Sequence, residues 1–241
     1  MESSENIQEP QIIDTLDIPV SQDGKDEERT GLITNIQMFC TNDGPGIRTT
    51  VFLKGCRLNC RWCHNPEGKR RYPEIFPYTV NCTGCKACVE ACPMDALSLT
   101  EPNIIKIDKG LCTVCLQCVE ICKENAIHVW GRMVKVKDVI DEVAKDKPFY
   151  DNSGGGMTVS GGEPTAQPEF TLSLFRCAKE REINCALDTC GHTPWEVLEP
   201  IIELTDYVLY DIKHMDPKEH KDYCGFSNTL ILNNARKIAE R

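Results

Sequence analysis

The stretch Gly55-Cys56-Arg57-Leu58-Asn59-Cys60-Arg61-Trp62-Cys63-His64 decides the fold. It puts three thiols, Cys56, Cys60 and Cys63, within eight residues, too close together to serve more than one site. For zinc or a single iron the missing fourth ligand would be a defect unless Cys40 or His64 supplied it. In a 4Fe-4S cubane the same deficit leaves one iron open to a substrate or cofactor. Two strand-like runs precede the loop, Gly31 to Phe39 and Arg48 to Leu53, joined by the turn Asn42-Asp43-Gly44-Pro45-Gly46.

Downstream, Cys82-x2-Cys85-x2-Cys88-x3-Cys92-Pro93 is repeated as Cys112-x2-Cys115-x2-Cys118-x3-Cys122, with Lys123 where the first run has proline. Each is a bacterial ferredoxin run, in which the fourth cysteine ligates the other cluster. One cubane is therefore expected on Cys82, Cys85, Cys88 and Cys122, and another on Cys112, Cys115, Cys118 and Cys92. Strand-like tails follow both runs, Ala96 to Thr100 and Ala126 to Trp130, so residues 78–130 read as a duplicated, ferredoxin-like α+β insert. A zinc ribbon would not need the doubled spacing. The five other cysteines, Cys40, Cys177, Cys185, Cys190 and Cys224, read as small buried hydrophobes, although Cys190 falls close to the expected pocket.

From Val136 the pattern alternates: helix Val136 to Asp146, strand Met157 to Ser160, helix Pro168 to Glu182, strand Asn184 to Asp188, helix Pro194 to Leu204, strand Tyr207 to Ile212. Such alternation implies βαβ units on a parallel sheet, with ligands at the C-terminal strand ends. Gly154 to Gly156 and Gly161-Gly162 bracket one strand and permit close backbone approach to a ligand, and Glu163 offers a carboxylate to an ammonium group. Asp188 and Asp211 read either as pocket residues or as strand-end caps.

The string Asp43-Gly44-Pro45-Gly46-Ile47-Arg48-Thr49-Thr50-Val51-Phe52-Leu53-Lys54-Gly55-Cys56 resembles the glycyl-radical-enzyme activating enzymes of the radical S-adenosylmethionine (SAM) superfamily, of the pyruvate formate-lyase activating enzyme kind. The resemblance continues through Trp62-Cys63-His64-Asn65-Pro66-Glu67, Ser153 to Pro164, Asp188-Thr189-Cys190-Gly191 and Asp211-Ile212-Lys213. It implies a partial (β/α) radical SAM barrel, residues 31–77 and 131–241, interrupted by the insert. It implies an oxidoreductase with three [4Fe-4S] clusters, one of them binding SAM on Cys56, Cys60 and Cys63. Gly161, Gly162 and Glu163 would meet the amino-acid end of SAM, Trp62 and His64 its adenosine side, and Asp211, Ile212 and Lys213 would complete the pocket. Asp188, Thr189 and Asp211 would hold a monovalent cation nearby. The implied partners are a glycyl radical enzyme, as protein substrate, and a ferredoxin or flavodoxin electron donor, in an anaerobic setting. The insert is then an electron conduit or a docking surface. Relatives continue with further strands and a later histidine, so the chain is expected to be a truncated barrel.

Nine acidic and two basic residues in 1–30 carry most of the formal charge of -10, and this aromatic-free lead reads as a disordered acidic tail or a docking arm. No basic stripe suggests nucleic acid, and no long apolar run suggests export or a membrane, so a cytoplasmic location is expected. Two other readings remain: a radical SAM enzyme for a small molecule or peptide, and an electron-transfer iron-sulfur protein.

Overall fold

The computed structural model describes residues 26–101 and 103–241. In chain order its strands are β1 (Thr30–Cys40), β2 (Arg48–Leu53), β3 (Glu74–Pro77), β4 (Leu97–Thr100), β5 (Ile104–Ile107), β6 (Ile127–Trp130), β7 (Arg132–Lys135), β8 (Gly156–Gly161), β9 (Cys185–Thr189) and β10 (Tyr207–Tyr210). Its helices are α1 (Ala87–Glu90), α2 (Gln117–Ile121), α3 (Val136–Val143), α4 (Lys147–Ser153), α5 (Pro168–Glu180), α6 (Trp195–Glu203), α7 (Pro217–Cys224) and α8 (Thr229–Ala239). The described residues divide into two compact units, 73–130 and the remainder.

The larger unit is built on a six-stranded sheet in the order β10-β9-β8-β2-β1-β7. Strands β2, β8, β9 and β10 run parallel, as the βαβ alternation predicts. The sheet as a whole is mixed, because β1 pairs antiparallel with both β2 and β7. Sequence reading missed β7, whose four residues carry a single buried side chain, Val134, and so no alternating pattern. It also ran one helix through Asp146, where the chain tightens into a 3-10 turn at Ala144–Asp146 before α4. The core lies between sheet and helices: Val51, Val159 and Leu187 from the central strands meet Val139, Ile140, Leu174 and Phe175 from α3 and α5, all essentially inaccessible. Each such side chain contributes about 1.5–3 kcal/mol by leaving water.

Arg48 is wholly buried at the amino end of the parallel strands and donates to Thr158 Oγ1 (2.7 Å), the Met157 carbonyl (2.7 Å), the Pro45 carbonyl (3.1 Å) and Asn184 Oδ1 (3.1 Å). Gly155 lies at this same end, where a Cβ would fall 1.8 Å from the Ile47 carbonyl oxygen. Gly155 and Gly156 thus serve chain packing at the end away from the cluster loop, and Gly154, left-handed at φ 70°, closes α4.

Of the expected tail 1–30, residues 1–25 lie outside the described residues. Residues 26–30 belong to the fold: Asp26 Oδ1 accepts from Ser173 Oγ (2.5 Å), Arg29 Nε donates to Ser173 Oγ (2.9 Å) and Glu28 pairs with Lys135. No described helix is long and apolar enough to cross a membrane.

The smaller unit joins β3 to β6 and β4 to β5, each pair antiparallel. Its duplication is visible in the backbone. Gly84 and Val114 (φ 76° and 55°), Lys86 and Leu116 (63° and 65°), and Asp95 and Asn125 (both 50°) are left-handed at matching places. The Ala96 and Ala126 amides donate to Cys92 Sγ and Cys122 Sγ, both at 3.2 Å.

Candidate iron-sulfur and cofactor site

A cavity of about 730 Å³ opens at the C-terminal ends of the parallel strands, and Cys56, Cys60 and Cys63 form part of its wall. The loop that carries them is fixed from both sides. Gly55 N donates to the Gly68 carbonyl (2.6 Å), Cys56 N to the Lys69 carbonyl (2.9 Å), and Lys69 Nζ reaches Asn59 Oδ1 (2.9 Å) and the Cys60 carbonyl (3.2 Å). Gly162 donates to the Leu53 carbonyl (2.8 Å), and a Cβ there would stand 2.4 Å from the Gly55 and Gly68 carbonyl oxygens. The glycine after β8 therefore lets the strand end and the cysteine loop touch backbone to backbone.

Trp62, His64, Gly161, Gly162, Glu163, Asp188, Thr189, Asp211 and Lys213 all line the same cavity. Ile212 does not: it is 40% exposed, as expected where neighbours in chain leaving a strand alternate sides. Cys40 and Cys190, which read in sequence as small buried hydrophobes with Cys190 close to the expected pocket, both contribute to the lining. A register shift between Gln37 and Cys40 in β1, with Phe39 left-handed at φ 58°, delivers Phe39 and Cys40 to the cavity. Such bulges leave little sequence signal.

Glu163 is buried and its carboxylate is held by the protein. Oε1 accepts from Thr189 Oγ1 (2.6 Å), Thr165 Oγ1 (2.8 Å) and Thr165 N (3.1 Å), and Oε2 accepts from Cys190 N (2.9 Å). It ties the end of β8 to the end of β9, and Oε2, with one accepted bond, keeps capacity for a further donor. Thr189 Oγ1 also accepts from Gly191 N (2.9 Å), and Asp211 forms an ion pair with Lys213. Asp188 Oδ2 accepts from Ser160 Oγ (2.6 Å). Among the described residues no three His, Cys, Asp or Glu side chains converge as a single-ion site.

Burial pushes the Cys56 thiol up to about 12, with the Glu163 charge adding to it. Burial likewise raises Asp188 to about 6, against the Ser160 hydrogen bond, with Asp211 and Glu163 reinforcing the rise. Burial alone would lower Lys213, but its bond to Asp211 reverses the sign and holds it up. The pocket thus sets the Lys213 cation near one carboxylate, Asp188, that burial shifts towards neutrality.

In the smaller unit, Cys82, Cys85, Cys88 and Cys122 line one cavity, and Cys92, Cys112, Cys115 and Cys118 line another. Each cavity thus gathers three cysteines of one run and the fourth of the other. All sixteen cysteines are free thiols. Eight in two closed sets and three around an open cavity fit iron-sulfur clusters, whose separated corners do not require donors to meet at one point.

Residues 111–241 match the Radical SAM superfamily, and residues 81–126 match the 4Fe-4S dicluster domain. The isethionate sulfite-lyase activating enzyme of Oleidesulfovibrio alaskensis is 45% identical over 221 residues, covering 90% of this chain and 72% of that protein. The (2S)-3-sulfopropanediol dehydratase activating enzyme of Klebsiella oxytoca is 42% identical, over 86% of this chain and 67% of that protein. The chain belongs to the radical SAM superfamily, among the activating enzymes of glycyl radical enzymes.

Activating enzymes that match this one serve varied partners: the choline trimethylamine-lyase activating enzyme of Oleidesulfovibrio alaskensis is also 40% identical, over 88% of this chain and 69% of that protein. A solved domain of pyruvate-formate lyase-activating enzyme from Bacteroides vulgatus shares 36% identity over 36% of this chain and 54% of that chain, at a TM-score of 0.34.

Proposed function

We propose that this activating enzyme holds one [4Fe-4S] cluster on Cys56, Cys60 and Cys63 and two more on the crossed sets of the smaller unit, and binds SAM in the cavity at the strand ends. The observation that carries the reading is that one cavity wall presents all three thiols opposite the Gly161-Gly162 strand end. When bound, the open cluster supplies the electron that cleaves the sulfonium C–S bond of SAM, giving methionine and the 5'-deoxyadenosyl radical that takes a hydrogen atom from a glycine Cα of the partner.

The chain's own residues bind and orient. The Gly161 and Gly162 backbone and the Asp188 carboxylate receive the SAM ammonium group, Lys213 faces its carboxylate, and Trp62 and His64 border the adenosine. Glu163 acts from behind, holding the β8 and β9 ends in register through its four accepted bonds. Phe39 and Trp62, 53% and 50% exposed at the cavity wall, offer apolar surface to the partner's glycine loop. The parallel strands with their helices form part of a (β/α) barrel, and a ferredoxin or flavodoxin delivers electrons through the smaller unit. Asp188, Thr189 and Asp211 would hold a monovalent cation near bound SAM, the Thr189 hydroxyl keeping a lone pair beyond the bond it accepts from Gly191 N.

The test is anaerobic reconstitution with iron and sulfide, then reduction with SAM and assay for 5'-deoxyadenosine, beside a Cys56, Cys60, Cys63 triple alanine variant. About twelve irons are expected in the parent and about eight in the variant, with nucleoside release abolished. Equal iron in both, or release surviving in the variant, overturns the assignment of the cluster to this loop.

A further inference from the structure

Cys224 lies outside every ligand motif, yet it stands against the middle cysteine of the cluster loop. It closes α7 and is wholly buried, in one apolar cluster with Leu58, Cys60, Cys190 and Ile231. Its side chain and that of Cys60 are buried together in this cluster. The backbone locks this contact on both sides. Asn59 N donates to the Cys224 carbonyl (2.9 Å) and Arg61 N to the Tyr223 carbonyl (3.1 Å), so the loop residues flanking Cys60 are clamped to the end of the helix. Gly225, left-handed at φ 90°, ends α7 by donating to the Lys221 carbonyl, which leaves the Tyr223 and Cys224 carbonyls free to accept from the loop. The side chains around this thiol, Leu58 and Ile231, are apolar and offer it no hydrogen-bond partner.

We propose that Cys224 is a positioning residue for the cluster, donating its S–H to the Cys60 sulfur and thereby raising the cluster's reduction potential. This rests on the assignment of the cluster to Cys56, Cys60 and Cys63. Once Cys60 is a thiolate bonded to iron it can only accept, so the proton of the pair resides on Cys224. A donor facing a cluster sulfur withdraws negative charge from the ligand and favours the reduced state, which is how hydrogen bonds to sulfur tune such potentials.

The experiment is a potentiometric titration, followed by electron paramagnetic resonance, of the reconstituted full chain and of Cys224→Val and Cys224→Ser. Valine keeps the apolar volume and removes the donor; serine keeps a donor. The expected result is a midpoint for the loop cluster shifted to lower potential in the Val variant and restored towards the parent in the Ser variant, with the two clusters of the smaller unit unmoved. An unchanged midpoint in the Val variant overturns the proposal, and so does a Ser variant shifted as far as Val. Should the Val variant not hold its loop cluster, deuterium exchange of the parent decides. An exchangeable deuteron coupled to the reduced loop cluster in the parent and retained in the Ser variant supports the proposal, and its absence from the parent overturns it. Failure of the underlying assignment looks different: the parent's iron would then be indifferent to Cys56, Cys60 and Cys63.

Discussion

Glu163 shows how a residue can be marked in sequence while its protein partners are not. The Gly-Gly-Glu run points to a strand end, and the carboxylate there, receiving four hydrogen bonds from Thr165, Thr189 and Cys190, braces that end against the next strand. Its donors lie two, twenty-six and twenty-seven residues away, so only the folded chain shows that they converge. Replacing Glu163 with Gln turns one acceptor into a donor that faces a donor. We expect Glu163→Gln to destabilise the apoprotein by about 2–3 kcal/mol, read as a lower urea midpoint at unchanged slope. Asp188 makes the opposite case, a residue held at a cost. Its folded pKa of about 6 exceeds the ordinary value of 3.8, so between those pH values the folded form keeps a proton that the unfolded form has released. Stability therefore falls as pH rises through that window, and above it the penalty is constant at about 3 kcal/mol. Asp188→Asn should match the parent near the lower pH and exceed it by about 2–3 kcal/mol at pH about 7.5, in urea titrations at both pH values. The same substitution should weaken SAM binding, measured by calorimetry on the reconstituted protein.

At the scale of elements, the strands most legible in sequence were those flanked by decisive punctuation: β2 before the cysteine loop, β8 between glycines, β6 after the second ferredoxin run. Short edge pieces such as β3 and β7 carry one buried residue each and gave no periodicity to read. The repeat was legible as spacing, but its asymmetry was not. Gly84 and Val114 occupy matching left-handed positions, and a β-branched residue there is strained where glycine is not. Val114 is kept while lining the cavity of Cys92, Cys112, Cys115 and Cys118, where Met94 and Leu116 also stand; the matching cavity has Glu124 and Lys86 instead. The valine is thus an apolar cover retained at a conformational cost. Val114→Gly should raise thermal stability by the equivalent of about 1 kcal/mol while speeding loss of that cluster to a chelator. Gly84→Val should do the reverse of the first effect, because its Cβ would lie 2.3 Å from Asn103 Oδ1 in addition to the backbone strain. Calorimetric melting and the decay of iron-sulfur absorbance under chelator separate the two effects.

For the whole molecule, the described residues divide into two compact units, and the smaller one begins at Pro73 rather than at the residue 78 expected from sequence, because β3 pairs with β6. Among the described residues, β3 pairs with β6 and β4 with β5 in the smaller unit, and the six-stranded sheet is built from strands of the larger unit. Their buried clusters share no residue. In the β3–β6 pair Glu74 stands opposite Trp130, so the chain leaves the smaller unit beside the point where it entered, within about 5 Å, the spacing of an antiparallel pair. Replacing residues 73–130 with a linker of a few glycines and serines should therefore leave the larger unit folded and holding about four irons, and residues 73–130 alone should hold about eight. With dithionite as reductant the excised enzyme should still release 5'-deoxyadenosine, because the open cluster and its cavity are intact. With a ferredoxin or flavodoxin as donor, release should fall to background if the smaller unit conducts electrons. Release that survives with the protein donor while glycyl radical formation on the partner is lost would assign the smaller unit to docking instead. Failure of the excised chain to fold would show that the two cores depend on each other.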